Sequence, residues 1–370
     1  MKKILIITHG FFPEQSPRSF RATELAKELC RQGHEVTVWA PHRDGTDKLV
    51  GQFKMNYVSL GKLKWKILNF KSFGVFGRLY NKVVNRFLPL FFEYPRMEIF
   101  FKIRRQFRRN QNHFDMLISI AVPYPVHWAV ASYWRAKGRN IADYWAADCG
   151  DPYCLQENDT FRPPIYFRIV EKWFMRKADA VVVPTESSYK GYFPEFHHKI
   201  KVIPQGFRFE DVRRKEQIND GVVRFGYGGT FILNRRDPRE FLEFLCSLTK
   251  DFRFEFHVYT SHEHFVQPYA SKDSRIILHK PIDRISLLEE FSQFNFVVNF
   301  SNVGFAQTPS KLIDYAIIDK PVLEIQTNQL DTENVLNFLK GDYSKSVSIK
   351  NPEQYRIETV VNKFLDLIKE

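Results

Sequence analysis

Cysteine is scarce in this chain: four residues, Cys30, Cys149, Cys154 and Cys246, among 370. Their spacing matches no metal-type pairing, and a disulfide framework is not indicated for so long a chain. Long apolar runs are also missing. No stretch approaches the ~18 apolar residues of a membrane-crossing helix, and Met1-Lys2-Lys3 followed by ILII is too short an apolar run for a secretory leader. A cytoplasmic chain is the expectation. The first strand-to-helix turn lacks a G-x-G-x-x-G fingerprint, because Gly10 stands alone there, which argues against a dinucleotide-dependent dehydrogenase. Acidic residues are in deficit as well. The net charge of +13 and a pI near 9.4 point to an acidic partner: nucleotide phosphates, nucleic acid or an anionic membrane surface.

What is present reads as two α/β domains, the natural division for this length. Lys3 to Thr8 is a β-branched run of the buried parallel kind. Ser16-Pro17 then caps a helix whose apolar stripe is Ala22, Leu25, Ala26 and Leu29, and Gly33 ends it. His34 to Trp39 returns as the second strand. Further strands are expected at Phe114–Ala121 and Ile141–Ala147, the latter delivering Asp148-Cys149-Gly150-Asp151-Pro152-Tyr153 at its C-terminal end. In open α/β sheets that end faces the ligand crevice. A carboxylate there, Asp148 in preference to Asp151 because it lies nearer the strand, can orient or deprotonate a hydroxyl. Equally, Asp151-Pro152 can serve only as a turn or helix cap. The charged stretch Glu210–Asp220 suits a connector, and Val222–Thr230 opens a second βαβ series containing Gly228-Gly229.

Residues 62–109 are unusual in holding thirteen lysines and arginines against only Glu93 and Glu98, interleaved with aromatics from Trp65 to Phe92. Such a segment suits a surface that sinks aromatics among anionic headgroups. The plainer alternative is that the aromatics face a core and the charges solvate a helix.

The stretch Asn299–Ile325 reads as strand, loop, helix, strand. Its helix opens at Thr308-Pro309-Ser310-Lys311, where free N–H groups, the helix dipole and a lysine make an anion site. Asp314 lies one turn on. This stretch resembles the nucleotide-sugar site of GT-B glycosyltransferases, particularly retaining family 4, in which a glutamate of the same helix holds the donor ribose. HGFFPEQSPRSFRATELAKEL, GHEVTV, the ADCGDPY segment and ADAVVVPTESSYKGY…KIKVIPQGF resemble the acceptor domain of those enzymes. The resemblance implies two Rossmann-like domains facing a central cleft: an acceptor-binding domain at 1–206, joined by a terminal helix at 352–370, and a donor-binding domain at 207–351. It places Gly10 and Ser16 on the acceptor-side loop, Asp148 and Asp151 at the reaction centre, and Gly228, Gly229, Arg235, Pro309, Ser310, Lys311 and Asp314 around the donor.

Two motifs depart from the family pattern: Thr230 and Arg235 stand where an Arg and a Lys usually clamp the diphosphate, and Ala306 replaces the first acid of a glutamate pair. No D-x-D sequence occurs, which argues against a metal-held diphosphate. The implied activity is transfer of a sugar, with retention, from a nucleotide diphosphate-sugar to a lipid-linked or polysaccharide acceptor. No cofactor, no metal and no nucleic acid enter it, and residues 62–109 rest on the inner face of the membrane. A nucleotide-sugar 2-epimerase or a non-catalytic partner subunit of the same fold are the alternatives.

Overall fold

A computed structural model of the chain describes residues 1–67, 74–134, 141–155, 163–301, 310–347 and 351–369, with backbone alone at 74–79 and 310–312. It forms two compact units, Met1–Phe207 with Gln354–Glu370, and Arg208–Glu353.

In unit 1 the strands are β1 (Lys3–Thr8), β2 (Glu35–Ala40), β3 (Asn56–Ser59), β4 (Phe114–Ile120), β5 (Ala142–Asp148), β6 (Ala180–Val183) and β7 (Ile200–Val202). They make one parallel sheet in the order β3-β2-β1-β4-β5-β6-β7. Parallel strands are covered on both faces, so β1 is apolar from Ile4 to Ile7. Leu5 and Ile7 enter one core, with Trp39, Trp145 and Phe174, while Ile4 and Ile6 enter the opposite one. The second core is roofed by α1 (Pro17–Arg31), whose Ala22, Leu25, Ala26 and Leu29 are fully buried. Ser16 Oγ accepts from the Ser19 amide at its start, and Gly33, at φ +81°, lets the chain turn off its end. The other helices are α2 (Thr46–Phe53), α3 (Gly74–Phe92), α4 (Glu98–Phe107), α5 (Pro125–Tyr133) and α6 (Tyr166–Lys177).

Unit 2 repeats the plan with β8 (Val223–Gly228), β9 (Phe254–Tyr259), β10 (Ile276–His279), β11 (Phe296–Ser301) and β12 (Val322–Gln326), in the parallel order β10-β9-β8-β11-β12. Its helices are α7 (Arg239–Ser247), α8 (Gln267–Ala270), α9 (Arg284–Phe291), α10 (Ser310–Ile318) and α11 (Thr332–Leu339), and α12 (Ile357–Asp366) belongs to unit 1. Much of the phenylalanine load is spent here: Phe225 stacks on Phe296 at 4.5 Å and on Phe256 at 4.9 Å. Among the described residues no helix is long and apolar enough to cross a membrane.

Both sheets reverse direction of growth at one place, between β1 and β4 and between β8 and β11. Ligands of doubly wound sheets bind outside the C-terminal strand ends at such points.

Candidate active site

Beyond β1, Thr8 Oγ1 donates to the Gly10 carbonyl at 2.8 Å and turns the chain toward α1. A Cβ on Gly10 would stand 3.2 Å from the Ser19 amide and 3.4 Å from Ser16 Oγ, so glycine lets this loop close on the helix start. Ser16 is engaged in the same turn, donating to Glu14 at 2.8 Å while it caps Ser19. These two residues build the loop.

Asp148, at the end of β5, departs from expectation. It is 1% exposed and accepts from Arg21 Nε at 2.7 Å. The other Arg21 nitrogens donate to the Ile203 carbonyl at 3.0 Å and to the Pro204 carbonyl. The pairing ties α1 to the sheet through Asp148 Oδ2, while Oδ1 is buried with no hydrogen-bond partner. Asp151, three residues on, is exposed and lines a cavity. The Arg18 guanidinium lies over Gly150, where any Cβ would overlap it.

That cavity holds about 360 Å³. Its walls are the last turns of α3 (Arg86, Pro89, Leu90), Glu93 and Arg96 beyond them, Val122 and Tyr124 after β4, and Asp151 to Tyr153. Glu93 ends α3 with a left-handed backbone, φ +51°, the place glycine usually takes. Its buried carboxylate accepts from Tyr153 Oη at 2.8 Å, and Arg96 Nη1 stands 3.8 Å away. Burial raises its pKa, against the opposing pull of the Tyr153 hydrogen bond and the Arg96 charge. Tyr124 Oη donates to the Asp151 carbonyl at 2.5 Å and holds the loop. Behind this wall, burial pushes Glu171 up to about 7 as its carboxylate accepts from the Cys154 amide at 3.3 Å. His127, fully buried between Ser119 at 2.8 Å and Cys149 at 3.4 Å, is pushed down to about 3 by burial and by Arg18, so it stays neutral. Sequence reasoning does not reach Glu93 as a site residue, although one signal exists: it is one of only two acids among thirteen cations. The other, Glu98, is also buried, and accepts from the Lys64 and Trp65 amides at 2.7 and 2.6 Å.

In unit 2, the pairing of β8 with β11 brings Gly228-Gly229 to the switch point. The two glycines have different reasons. A Cβ on Gly228 would stand 2.4 Å from Leu287 of α9, so its smallness serves packing and not a ligand. Gly229 has φ +156°, and its amide donates to the Tyr259 carbonyl at 2.9 Å. Arg235 is exposed on the next loop, which Thr327 Oγ1 fastens by donating to the Arg235 carbonyl at 3.0 Å. Pro309 and Ala306 lie outside the described residues; Ser310 and Lys311 are described as backbone and form the first turn of α10. Asp314 accepts from Arg284 of α9, through Nε at 2.7 Å and also through Nη2. This guanidinium, 30 residues distant in sequence, is a second group that sequence reasoning misses.

The family model of Glycosyltransferase Family 4 matches residues 20–211, more than half of the chain. No curated protein matches. Among solved structures, TarM superposes with a TM-score of 0.62 at 12% identity, over 100% of this chain and 99% of that one. A glycosyltransferase from Rickettsia africae gives 0.61 at 12%, over 100% and 98%. HepE of Anabaena, solved in complex with UDP and glucose, gives 0.59 at 12%, over 100% of both. At such identities the likeness is one of fold, and that fold is GT-B.

Proposed function

The chain belongs to glycosyltransferase family 4, and from that premise we propose that it transfers a sugar from a nucleoside diphosphate-sugar to a lipid-linked or polysaccharide acceptor, on the inner face of the cytoplasmic membrane. The observation that carries the donor half is the switch point of unit 2. There the Gly229 loop follows β8 beside β11, and Asp314, one turn into α10, pairs with Arg284 of α9. Unpaired amides at a helix start, the helix dipole and the Lys311 and Arg235 charges suit a diphosphate leaving group. Asp314 takes the ribose hydroxyls, oriented for it by Arg284. The absence of a D-x-D sequence supports a reaction without a metal, and the family supports retention. On the acceptor side, the exposed Asp151 replaces Asp148 as the carboxylate that meets the incoming hydroxyl.

HepE has been solved with UDP-glucose and a TarM variant with UDP, so uridine nucleotides are the first probes. A thermal-shift and calorimetry screen of nucleoside diphosphates and their sugar conjugates tests the reading. At least one should bind, and Asp314→Ala should weaken it by about 1.5–3 kcal/mol, the loss of charged hydrogen bonds. Unchanged affinity in that variant removes Asp314 from the donor site. Conversion of the donor sugar with no acceptor present would favour the epimerase alternative.

A further inference from the structure

We propose that the cavity between α3 and the Asp151–Tyr153 loop is the headgroup site of a lipid-linked acceptor, its arginines taking a phosphate and the apolar surface beside it taking the chain, an assignment that rests on the glycosyltransferase reading. Helix α3 presents two faces. Arg86, Pro89 and Leu90, with Glu93 at the following turn, repeat at helical spacing along the cavity. Tyr80, Val83 and Phe87 lie exposed on another face.

Phe87 stacks on Phe91 at 4.2 Å and meets Phe92 at 6.3 Å. Tyr166 of α6 donates to the Phe91 carbonyl and brings with it Ile165 and Ile169, exposed at 77% and 69%. Past the turn at Glu93, Tyr94 stacks on Trp65 at 5.5 Å, and Trp65 meets Phe101 at 5.9 Å. Singly exposed apolar residues are ordinary on any protein, but a band of them, in two clusters on the elements that wall a charged cavity, marks a binding surface.

The cavity and the band ask for one kind of ligand. Arg86 and Arg96 bring planar donor forks, which match a phosphate oxygen pair. The Glu93 and Asp151 carboxylates accept hydrogen bonds, as sugar hydroxyls donate them. About 360 Å³ admits a sugar and a phosphate and no long chain, so the chain must leave along the surface, where the aromatic band begins. A soluble glycan would leave the band unused, and a free nucleotide would too. An amphiphile with hydroxyls at its tip, an anion at its neck and a hydrocarbon tail uses every part.

Calorimetry on the whole chain separates these parts with three probes below their micellar concentrations: octyl phosphate, octyl glucoside and inorganic phosphate. Octyl phosphate should bind at least ten-fold more tightly than either of the others. Arg86→Gln with Arg96→Gln should erase its advantage over octyl glucoside. Phe87→Ser with Phe92→Ser should weaken octyl phosphate and leave inorganic phosphate as it was, with unchanged melting of both variants showing that they fold. Equal binding of octyl phosphate and octyl glucoside, or full affinity in the arginine variant, overturns the proposal. Inorganic phosphate binding as tightly as octyl phosphate also overturns it, since the site is then one for free phosphate. Uridine diphosphate titrated into the same proteins reports the donor site separately. Loss there with octyl phosphate retained sinks the donor reading alone.

Discussion

At Glu93 two costs coincide: a left-handed backbone on a residue with a Cβ, about 1–2 kcal/mol, and a buried carboxylate. Neither is needed to end a helix, since glycine would do it for less, and strain of this kind gathers where function requires it. The pH dependence follows from burial. Its pKa is raised in the folded state, so the native chain holds that proton more tightly than the unfolded one does. Stability from this group is therefore full in acid and is lost as pH rises from the ordinary carboxylate range through the folded value. Glu93→Gln keeps an acceptor for Tyr153 and removes the titration. Its melting temperature relative to wild type should climb as pH goes from acid to neutral, while acceptor-dependent transfer falls. A flat difference across pH would mean that the carboxylate is ionised at no cost. Glu171, also raised by burial, titrates in both proteins and cancels from the comparison. Asp148→Ala strands the buried Arg21 guanidinium and should cost about 3–5 kcal/mol in urea unfolding, with donor binding kept. Nothing local in the sequence announces that pair, because its members stand 127 residues apart. The ADCGDPY run shows that a carboxylate ends a strand, and the partner that covers it comes from α1, the helix after β1, two strands away in the sheet. For the same reason the role of Gly228 is not legible: its Leu287 neighbour belongs to a distant helix.

Secondary elements were more legible than side-chain roles, because a period is local and a contact is not. The β-branched run of β1, the stripe of α1 and its Ser16 and Gly33 boundaries all follow from chain-local preferences. Residues 62–109 resisted because both readings of them hold in part. Helix α4 buries Ile99, Ile103 and Phe107 in the core, as a plain scaffold would. Yet Phe101 faces outward, and Arg105, Arg108 and Arg109 are exposed at its C-terminal end, where cations also suit the helix dipole. The aromatics expected to set membrane depth are Phe73, Phe76, Phe91 and Phe92. Phe73 falls outside the described residues, Phe76 is described as backbone, Phe91 is half-buried and Phe92 is exposed, with Phe87 exposed beside them. Anionic liposomes should sediment the wild-type chain, less so at high salt but never wholly released, since only the charge part is screened over ~8–10 Å. Changing Arg104, Arg105, Arg108 and Arg109 together to Gln should weaken binding by up to roughly a thousand-fold, at ~1 kcal/mol per cation near the surface. A wild-type chain indifferent to anionic liposomes would make the segment scaffold and the acceptor soluble.

At the scale of the molecule, the chain leaves unit 1 at Phe207 and comes back to it at Gln354. The two passages are stitched side by side. The Phe207 amide donates to the Tyr355 carbonyl and the Ile357 amide to the Phe207 carbonyl, both at 2.9 Å. Helix α12 then lies on α1, with Ile357, Val360, Val361, Phe364 and Leu367 all buried in the core behind β1. At about 1.5–3 kcal/mol for each side chain, this helix supplies roughly 7–15 kcal/mol as an upper bound. That is about the whole stability of an ordinary domain. Unit 1 should therefore fail to fold without it, although most of its residues precede unit 2. The six tryptophans all lie within residues 1–207, so their fluorescence reports unit 1 and is silent on unit 2. A chain ending at Glu353 should lose the cooperative tryptophan transition in urea. Gly206→Val is the graded version. Its Cβ would stand 2.8 Å from Ile357 Cδ1 and 3.0 Å from Val360, an overpacking worth about 1–3 kcal/mol. That variant should lower the tryptophan-monitored midpoint and leave the melting of unit 2, followed by hydrogen exchange of β8 and β11, where it was. An unshifted tryptophan midpoint in both proteins would show that α12 rests on unit 1 without holding it together.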